Sequence, residues 1–558
     1  MPISISNFDF LQTSIREVQQ LLKEGKITSV QLVEAYLNRI ERDNQAGMAL
    51  RAVIATAPRD LVLSIASGLD EERSRGEIRS ELHGIPVLVK DNIATDPELG
   101  MDTTAGSFAL KDSVVPADAF VIARLRKAGA IVIAKTNLNE LSGWKGLLKS
   151  FPLSNSSSGS GPRYLSMSTN NPDTADTTNN TFRGPTNGWS AVGGQCSSAY
   201  VEGGFDNGGN PFGSSSGSAV GLSVGWGVVA VGTDTLGSVN GPASRAALYA
   251  VRPTVGRLSR SGVVPISLDH DTVGPMGSTT YDIALMLEVM SGEDVNDRYT
   301  HRLDPLSNLT SIASDPPPLS SFTIGIPTRH FLDNPTFKYA GGCPSDCKMK
   351  FKEVIQDLHE NHGLSIKWDT DMDLDSEDIK EFKDVITGKI DIDFKEDMNI
   401  YLKSLKESKV RNVLDLAMFN DKYSSIELPP NECCQERILS ALSSPPRNSS
   451  EHQDLSSRLG ELADDRSLGY IFKTNPEIDA VVFAHELGAP SYWVGAAKYP
   501  AGVVPLGYCS NGLPYGMLIV TRKFEEDKLI GIMAAYENVM PKRQVPKPYY
   551  DRYGTEGL

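Results

Sequence analysis

The strongest constraint on the fold is the alternation of short apolar runs with segments of helical periodicity along most of the chain. Runs such as 84–90, 130–136 and 480–485 are rich in Val, Ile and Ala, and Gly or polar residues bound them. Buried strands that alternate with helices form a sheet that carries the helices on its faces. We therefore predict an α/β fold in which helices flank both faces of a central mixed β-sheet.

Two regions interrupt this alternation. Residues 151–218 are rich in Ser, Asn, Thr and Gly, and we interpret them as a long loop that covers a functional site. Residues 341–475 are charged and helical in pattern, which indicates a helical subdomain inserted before the last strands. We predict a single domain over residues 1–558 with four parts: N-terminal helices (1–80), a core with the chemical motifs (81–340), the helical insertion (341–475), and strands and a helix that complete the core (476–545).

The charge balance limits the possible partners. The chain has 54 Lys and Arg against 70 Asp and Glu, so 54 − 70 gives a formal charge of −16. Because no basic excess is left for phosphate groups, we expect no nucleic-acid partner. No stretch approaches the ~20 apolar residues of a membrane span, and the first residues lack the pattern of a secretion signal. These features favour a cytoplasmic protein with no membrane span.

The cysteine pattern agrees with that location. Six cysteines in 558 residues are too few for a disulfide scaffold. Cys343 and Cys347 form a C-x3-C pair and Cys433 is followed by Cys434, which would suit a metal site, but the His partners of a usual zinc spacing are missing. We therefore expect unpaired thiols in a reducing compartment and no bound metal.

Two turns of small and polar residues stand out in the core. The first, at 213–218 (GSSSGS), leads directly into an apolar helical segment, and such a turn at a helix N-terminus gathers hydroxyl and N–H groups around an anionic centre. The second, at 234–240 (DTLGSVN), follows an apolar strand, and successive amides in such a turn can form an oxyanion hole. Taken alone, each turn is more typical of a linker or an ordinary loop.

Lys90 is the candidate base for a serine in these turns. It ends the apolar run 84–90, where a lysine commonly extends to solvent. None of the eight His residues lies in a triad-like context, so a serine nucleophile would need another base. Lysine serves if burial lowers its pKa, because only the neutral amine accepts a proton. Lowering that pKa from ~10.4 to ~7 corresponds to about 4–5 kcal/mol, which burial can supply.

The motifs, taken in order, resemble the amidase signature family. Ser214 precedes Ser238 by 24 positions (238 − 214), the family's usual separation of its two serines. The GSSSGS turn and a GGQ sequence are closest to the branch that contains peptide amidases and fungal amidase-like proteins. The similarity extends over roughly residues 10–540 and includes GIPVLVKDNI (84–93), GGQ (193–195), GSSSGS (213–218), GTDTLGS (232–238) and DTVGPM (271–276).

The resemblance implies a hydrolase that cleaves the carbon–nitrogen bond of a small-molecule amide, with no metal or organic cofactor. It implies Ser238 as the nucleophile, Ser214 as a bridging serine on a cis peptide bond, and Lys90 as the general base. A monomer or a homodimer is expected. The backbone N–H groups implied to hold the oxyanion are those of Thr235, Leu236, Gly237 and Ser238.

Two departures from the family pattern leave alternatives open. Leu236 stands where the family usually has Gly or Asp, so a branched side chain lies beside the carbonyl site. Asn240 replaces a common Arg, so the usual partner of Asp234 must be replaced or lost. The alternatives are acyl transfer or amide formation in a biosynthetic pathway, and a non-catalytic binding protein on the same scaffold.

The substrate pocket is predicted from three segments that would roof the catalytic turns, at about 151–200, 411–425 and 485–495. Aromatic side chains in such segments favour an apolar or aromatic acyl group. Each of these aromatic residues could equally belong to the core or to the surface. The residues predicted to bind substrate are Trp189, Gly193, Gly194, Gln195, Phe419, Tyr423 and Trp493.

Overall fold

In the residues that the structure describes, the centre of the fold is a mixed β-sheet of eleven strands. The computed structural model describes residues 8–146, 187–333 and 342–554. Its strands are β1 (Val53–Thr56), β2 (Pro86–Lys90), β3 (Ile131–Thr136), β4 (Trp189–Ser190), β5 (Gly194–Gln195), β6 (Val229–Asp234), β7 (Tyr249–Arg252), β8 (Thr272–Gly277), β9 (Thr323–Ile326), β10 (Ser365–Trp368), β11 (Ala480–Ala484), β12 (Ala501–Tyr508) and β13 (Pro514–Val520). The strands β4 and β5 form a separate ladder, and the others follow the order β1-β3-β2-β6-β8-β7-β12-β13-β11-β9-β10.

The sheet has a group of parallel strands on each side of an antiparallel middle, and β1 pairs antiparallel with β3 at one edge. The strands β3, β2 and β6 are parallel neighbours, as are β11, β9 and β10, whereas the pairs from β6 through β8, β7, β12 and β13 to β11 are antiparallel. Every residue of β2, β3 and β6 is buried, so both faces of this part of the sheet are covered. The predicted α/β fold with a central mixed sheet is confirmed.

Helices cover the sheet and form the insertion. The strands β2 and β6 run parallel, so their carboxyl ends, at Lys90 and Asp234, lie at the same edge of the sheet. In the described residues the helices are α1 (Ile15–Lys23), α2 (Ser29–Asp43), α3 (Arg59–Ser74), α4 (Phe120–Lys127), α5 (Ser216–Ser223), α6 (Asn240–Ser244), α7 (Thr280–Met290), α8 (Leu309–Ser314), α9 (Pro344–His362), α10 (Ser376–Ser404), α11 (Val413–Lys422), α12 (Ser424–Glu427), α13 (Glu436–Ser443), α14 (Ser450–Gly460), α15 (Gly469–Thr474), α16 (Pro490–Ala497), α17 (Glu526–Val539) and α18 (Lys547–Tyr553).

The first two helices begin and end where their sequence signals lie. Ser14 and Thr28 are the N-cap residues of α1 and α2, and each forms a capping box with the residue three positions later. Gly25, with φ +64°, follows the C-cap of α1, because the left-handed conformation that ends a helix favours glycine. Both helices lie in the N-terminal part, residues 1–80, for which the sequence predicts helices.

Three strands of the sheet were not expected from the sequence. The strand β8 has the sequence TVGPMG. Because Gly and Pro are depleted in strands, this composition does not predict a strand. The strands β1 and β7 have only four residues each. These segments are extended because they pair with neighbouring strands. The local sequence pattern alone does not predict that pairing.

The helical insertion begins later than the predicted position 341. The strand β10 pairs in parallel with β9, with Ser365 opposite Thr323, so it belongs to the sheet. Two parallel strands need a crossover connection, and α9 supplies it. We therefore place the insertion after β10, over the helices α10 to α15.

The prediction of unpaired cysteines is wrong for four of the six. Cys343 is bonded to Cys509 and Cys433 to its neighbour Cys434, whereas Cys196 and Cys347 are free and buried. The pairing of Cys343 joins the start of α9 to the end of β12, positions 166 residues apart that only the folded sheet brings together. The expectation of a reducing compartment was based on unpaired thiols, so the two disulfides remove its basis.

The remaining organisational predictions concern the membrane and the long loop. In the part of the chain that the structure describes, no helix is long and apolar enough to cross a bilayer. Most of the predicted loop, residues 151–186, lies outside the described residues. Its last part, from 187 onward, contains the ladder of β4 and β5 and leads into the GSSSGS turn.

Replacing both Cys343 and Cys509 by Ser should lower the free energy of unfolding by about 2–5 kcal/mol, because a cross-link over a long loop restricts the unfolded chain. The measurement is the urea midpoint of each protein without reductant. Wild-type protein in reductant should shift towards the midpoint of the double variant. An unchanged midpoint in the double variant would contradict a stabilising role for this bond.

Candidate active site

Lys90 lies at the carboxyl end of β2, between two parallel neighbours. Its side chain is fully buried. Its Nζ donates to Ser214 Oγ and to Thr233 Oγ1, both at 2.8 Å, and the Thr233 carbonyl oxygen lies at 3.3 Å. Hydroxyl and carbonyl oxygens thus surround the amine, and no carboxylate of the described residues forms an ion pair with it.

This surrounding changes the protonation of Lys90. Burial lowers the pKa of its amine from the ordinary 10.5 to about 7, and the charges of Asp234 and Asp271 oppose that shift without cancelling it. The cause is the loss of water around the ammonium form, which no contacting anion replaces. Near neutral pH a large share of the amine is therefore uncharged and able to accept a proton.

Ser214 is held in place by the chain that follows β3. The Gly213–Ser214 peptide bond is cis. A Cβ at position 213 would lie 2.2 Å from Asn139 Oδ1, so a larger residue there would displace the Asn139 amide. The Asn139 N–H donates to the Ser214 carbonyl oxygen at 3.1 Å. The hydroxyl of this buried serine is thereby directed at Lys90.

Ser238 lies in the neighbouring turn and is more accessible. The Ser215 N–H donates to the Ser238 carbonyl oxygen at 3.2 Å, which places the two serine turns side by side. The Ser238 side chain is partly exposed, in contrast to the buried Ser214. Within the described residues its hydroxyl makes no hydrogen bond, so its contact with Ser214 is not formed in this conformation.

Asp234 shapes the turn that carries Ser238. Its carboxylate accepts the N–H groups of Gly237 and Val239, each at 2.7 Å. Arg252 from β7 donates to the same carboxylate at 2.8 Å, and both side chains are fully buried. Arg252 is therefore the partner of Asp234 that Asn240 does not supply. The Gly237 N–H is engaged by Asp234, whereas those of Leu236 and Ser238 have no acceptor among the described residues.

The DTVGPM motif supports the same turn from the other side. Thr235 Oγ1 donates to Asp271 Oδ1 at 2.6 Å. Burial raises the pKa of Asp271 to about 6, and its hydrogen bonds oppose that shift. The carboxylates nearest the serines are thus engaged with Arg252 and Thr235. In the described ranges no cluster of three or more His, Cys, Asp or Glu residues could hold a metal ion.

Two polar residues of the site were missed by the sequence analysis. Thr233 Oγ1 accepts hydrogen bonds from Lys90 and from Asn92 Nδ2, the latter at 3.0 Å. Asn92 Nδ2 also lies 3.2 Å from Ser142 Oγ. Both residues belong to motifs already quoted, KDN and GTDT, but the motifs do not show which of their side chains face Lys90.

The structure separates the predicted aromatic pocket residues. Trp189 is partly buried on β4. Phe419 and Tyr423 contact each other, with ring centroids 4.5 Å apart, and Tyr423 is 39% exposed. Trp493 is fully buried and stacks on Phe382 with centroids 3.9 Å apart. Trp493 therefore belongs to the core, and we do not retain it as a substrate contact.

The GGQ segment is occupied by contacts within its own loop. Gln195 Nε2 donates to the carbonyl oxygens of Asn187 and Cys196, each at 2.8 Å. A Cβ at Gly193 would lie 2.4 Å from Asn137 Oδ1, and Gly194 has φ +70°. These contacts explain the two glycines through close packing and backbone conformation. They give the Gln195 side chain a structural role.

Replacing Arg252 by Met should lower the free energy of unfolding by about 3–5 kcal/mol, because it leaves Asp234 buried without its partner. Thermal denaturation followed by circular dichroism measures the loss. The double change Arg252→Met with Asp234→Asn removes the unpaired charge and should recover part of it. A single variant as stable as wild type would contradict the importance of this ion pair.

The family model named Amidase matches residues 31–146 and 190–368, which is over half of the chain. A protein named as a probable amidase of Arabidopsis thaliana is 31% identical over 551 residues, covering 97% of this chain and 93% of that protein. One of the subunits of the glutamyl-tRNA(Gln) amidotransferase of Chloroflexus aurantiacus is 26% identical over 538 residues, covering 94% of this chain and 96% of that protein.

Solved structures agree with the sequence comparisons. The native peptide amidase of Stenotrophomonas maltophilia has a TM-score of 0.80 at 28% identity, covering 96% of this chain and 99% of that one. A bacterial aryl acylamidase of the amidase signature family has a TM-score of 0.68 at 19% identity, which shows the shared fold. The predicted resemblance is confirmed: the chain belongs to the amidase signature family and is an amidase.

Proposed function

We propose that this amidase hydrolyses a small carboxamide through an acyl-serine intermediate, with Ser238 as nucleophile, Ser214 as proton relay and Lys90 as base. The observation that carries the proposal is the buried Lys90 amine, 2.8 Å from Ser214 Oγ and with its pKa lowered to about 7. A neutral amine in that place can accept a proton through a hydroxyl. A charged lysine at the same place could only donate hydrogen bonds.

The chemistry proceeds in two halves. When the Ser238 hydroxyl rotates towards Ser214, its proton passes to Ser214 while the Ser214 proton passes to Lys90. The Ser238 oxygen then forms a bond to the amide carbon, and the leaving nitrogen takes back a proton as the carbon–nitrogen bond breaks. Water attacks the acyl-serine in the second half by the same relay, releasing the carboxylic acid and restoring Ser238.

The oxyanion of each tetrahedral intermediate needs fixed donors. We assign this role to the N–H groups of the turn from Thr235 to Ser238, of which the Gly237 N–H must leave Asp234 to take part. Loss of one such donor typically costs about 3–4 kcal/mol of barrier. Leu236 leaves the backbone donor intact, because a side chain does not remove an N–H group, but its partly exposed side chain narrows the acyl site.

The substrate is proposed to be a linear carboxamide with an apolar or aromatic acyl group. The remaining aromatic candidates, Trp189, Phe419 and Tyr423, would contact that group. The similarity to a peptide amidase supports an amide as the substrate, and the apolar or aromatic acyl group rests on the aromatic residues alone. A monomer or homodimer, a cytoplasmic location and the lack of a nucleic-acid partner stay predictions from the sequence.

Changing Lys90, Ser214 or Ser238 to Ala should each abolish amide turnover while the folded structure is kept, because each residue carries one step of the relay. The measurement is ammonia release from a set of amides that spans acetamide, benzamide, peptide amides and long-chain amides. A fluorophosphonate probe should label wild-type protein and leave Ser238→Ala unlabelled.

Two outcomes would contradict this assignment. Turnover above a few per cent of wild type in Lys90→Ala would remove the base from the mechanism. Equal labelling of wild type and Ser238→Ala would place the nucleophile elsewhere. Ser223→Ala is a matched control, since this buried serine donates only to the Val220 carbonyl oxygen inside α5 and should keep wild-type turnover.

The value of kcat/KM should rise about tenfold per pH unit below pH ~7 and level off above it, because the base must be uncharged and its ammonium form is lost above a pKa of about 7. Initial rates at low substrate concentration between pH 5.5 and 9 measure the profile. A profile that falls over this range would mean that the protonated form of Lys90 is the active one.

A further inference from the structure

A buried ion cluster lies where the helical insertion meets the core. Lys145 Nζ donates to Glu140 Oε1 at 2.5 Å and to Glu427 Oε2 at 2.6 Å. None of the three side chains is more than 5% exposed. Glu427 ends α12 of the insertion, whereas Glu140 and Lys145 flank a turn that follows β3. Buried charged groups offset the cost of leaving water only when they are well paired and hydrogen-bonded. The relative positions of these three side chains are therefore closely constrained.

The cluster also holds backbone groups of two further loops. Glu427 Oε1 accepts the Phe108 N–H at 2.8 Å, and the Ser107 hydroxyl donates to the same carboxylate. Glu140 Oε2 accepts the Ala191 N–H at 3.0 Å, next to the ladder of β4 and β5. One set of charges therefore joins the insertion to three separate loops of the core.

Two of these loops continue to the residues around Lys90. Asp91, the next residue, accepts the Gly106 N–H at 3.1 Å and so holds the loop that reaches Glu427. Asn92 Nδ2 lies 3.2 Å from Ser142 Oγ, in the turn that Glu140 and Lys145 flank. The position of the insertion is thus linked to the base by short chains of contacts.

Aromatic side chains lie on both sides of the cluster. The Glu427 N–H donates to the Tyr423 carbonyl oxygen at 3.0 Å, and the Tyr423 ring contacts that of Phe419; these two residues are here called the aromatic pair. On the core side, Lys145 Nζ lies 6.0 Å from the centroid of the Trp189 ring. The cluster thus contacts both the segment that carries Tyr423 and the surroundings of Trp189, residues that we propose to contact the acyl part of the substrate.

We propose that Glu427 is a positioning residue for acyl-group selectivity, because it docks the aromatic pair of the insertion against the loops beside Lys90. This inference rests on the proposed function. Without the Glu427 carboxylate the insertion loses its bonds to Lys145 and to the Phe108 N–H, whereas the three catalytic residues keep their own contacts. Selectivity should therefore change more than the reactivity of the serine.

The charges of the cluster favour an effect on selectivity without a large effect on the reactivity of Ser238. Burial raises the pKa of Glu140 to about 8, with Lys145 opposing the shift and Glu427 adding to it. This raised pKa disfavours the ionised form of Glu140 while Glu427 is present. When Glu427 is removed, Glu140 can ionise and pair with Lys145. Glu140 and Lys145 then balance each other's charge, while the bonds that joined them and the Phe108 N–H to the insertion are lost.

The test compares two sulfonyl fluorides on the full-length protein. Each reacts when the Ser238 oxygen bonds to sulfur, fluoride leaves, and the hydroxyl proton passes through Ser214 to Lys90. Phenylmethanesulfonyl fluoride carries an aromatic group for the aromatic pair, and methanesulfonyl fluoride does not. In Glu427→Ala we expect the rate constant of the phenyl reagent to fall about tenfold and that of the methyl reagent to stay within about threefold.

Two variants serve as controls. Glu427→Gln keeps an oxygen that can accept the Phe108 N–H and should recover most of the preference for the phenyl reagent. Asp282→Ala removes another fully buried carboxyl group, which lies in α7 and accepts the Ile15 N–H at 2.9 Å, and should leave the ratio of rate constants unchanged. An equal loss with both reagents, or no loss with either, overturns the proposal.

A purely structural role and a failure of the proposed function give different results. If Glu427→Ala lowers only the melting temperature and keeps the ratio of rate constants, the positioning role is refuted. If wild-type Ser238 reacts with neither reagent nor with the fluorophosphonate, the nucleophile assignment is refuted and the inference falls with it.

Discussion

The candidate site depends on the burial of one amine at the end of a strand. The Lys90 ammonium has left water without gaining a contacting carboxylate, and its Nζ faces the Ser214 and Thr233 hydroxyls. Desolvation therefore dominates its protonation, and Asp234 and Asp271 act only from a distance. The parallel neighbours β3 and β6 enclose the strand end, so the sheet itself maintains the lowered pKa.

Contiguous motifs explain why much of this site was predictable. Lys90, Ser214 and Ser238 each lie in a short run whose neighbours are unusual for an ordinary strand end or linker. Their order and spacing carried the resemblance, and the structure brings Lys90 and Ser214 into contact with the Ser238 turn beside them. The apolar runs predicted most of the sheet for the same reason, since burial on both faces leaves a local signal.

The parts that were not predicted depend on contacts between distant positions. Arg252 pairs with Asp234 because β7 and β6 lie on either side of β8. The sequence around Asp234 does not indicate that Arg252 is its partner. Cys343 and Cys509 meet for a similar reason. Trp493 illustrates the opposite error, since an aromatic residue near the predicted pocket stacks on Phe382 in the core.

The position of the insertion in the sheet has a consequence for how relatives could diverge. The chain leaves the sheet after β10 and re-enters at β11, and only β9 separates these two strands. Because β10, β9 and β11 run parallel, the insertion leaves at the carboxyl end of β10 and returns to the amino end of β11, at the opposite edge of the same part of the sheet. Helices can be lengthened, shortened or exchanged between Trp368 and Ala480 without altering the register of any strand. A relative could thus carry a different helical insertion while the strands and turns that hold the proposed catalytic residues stay the same.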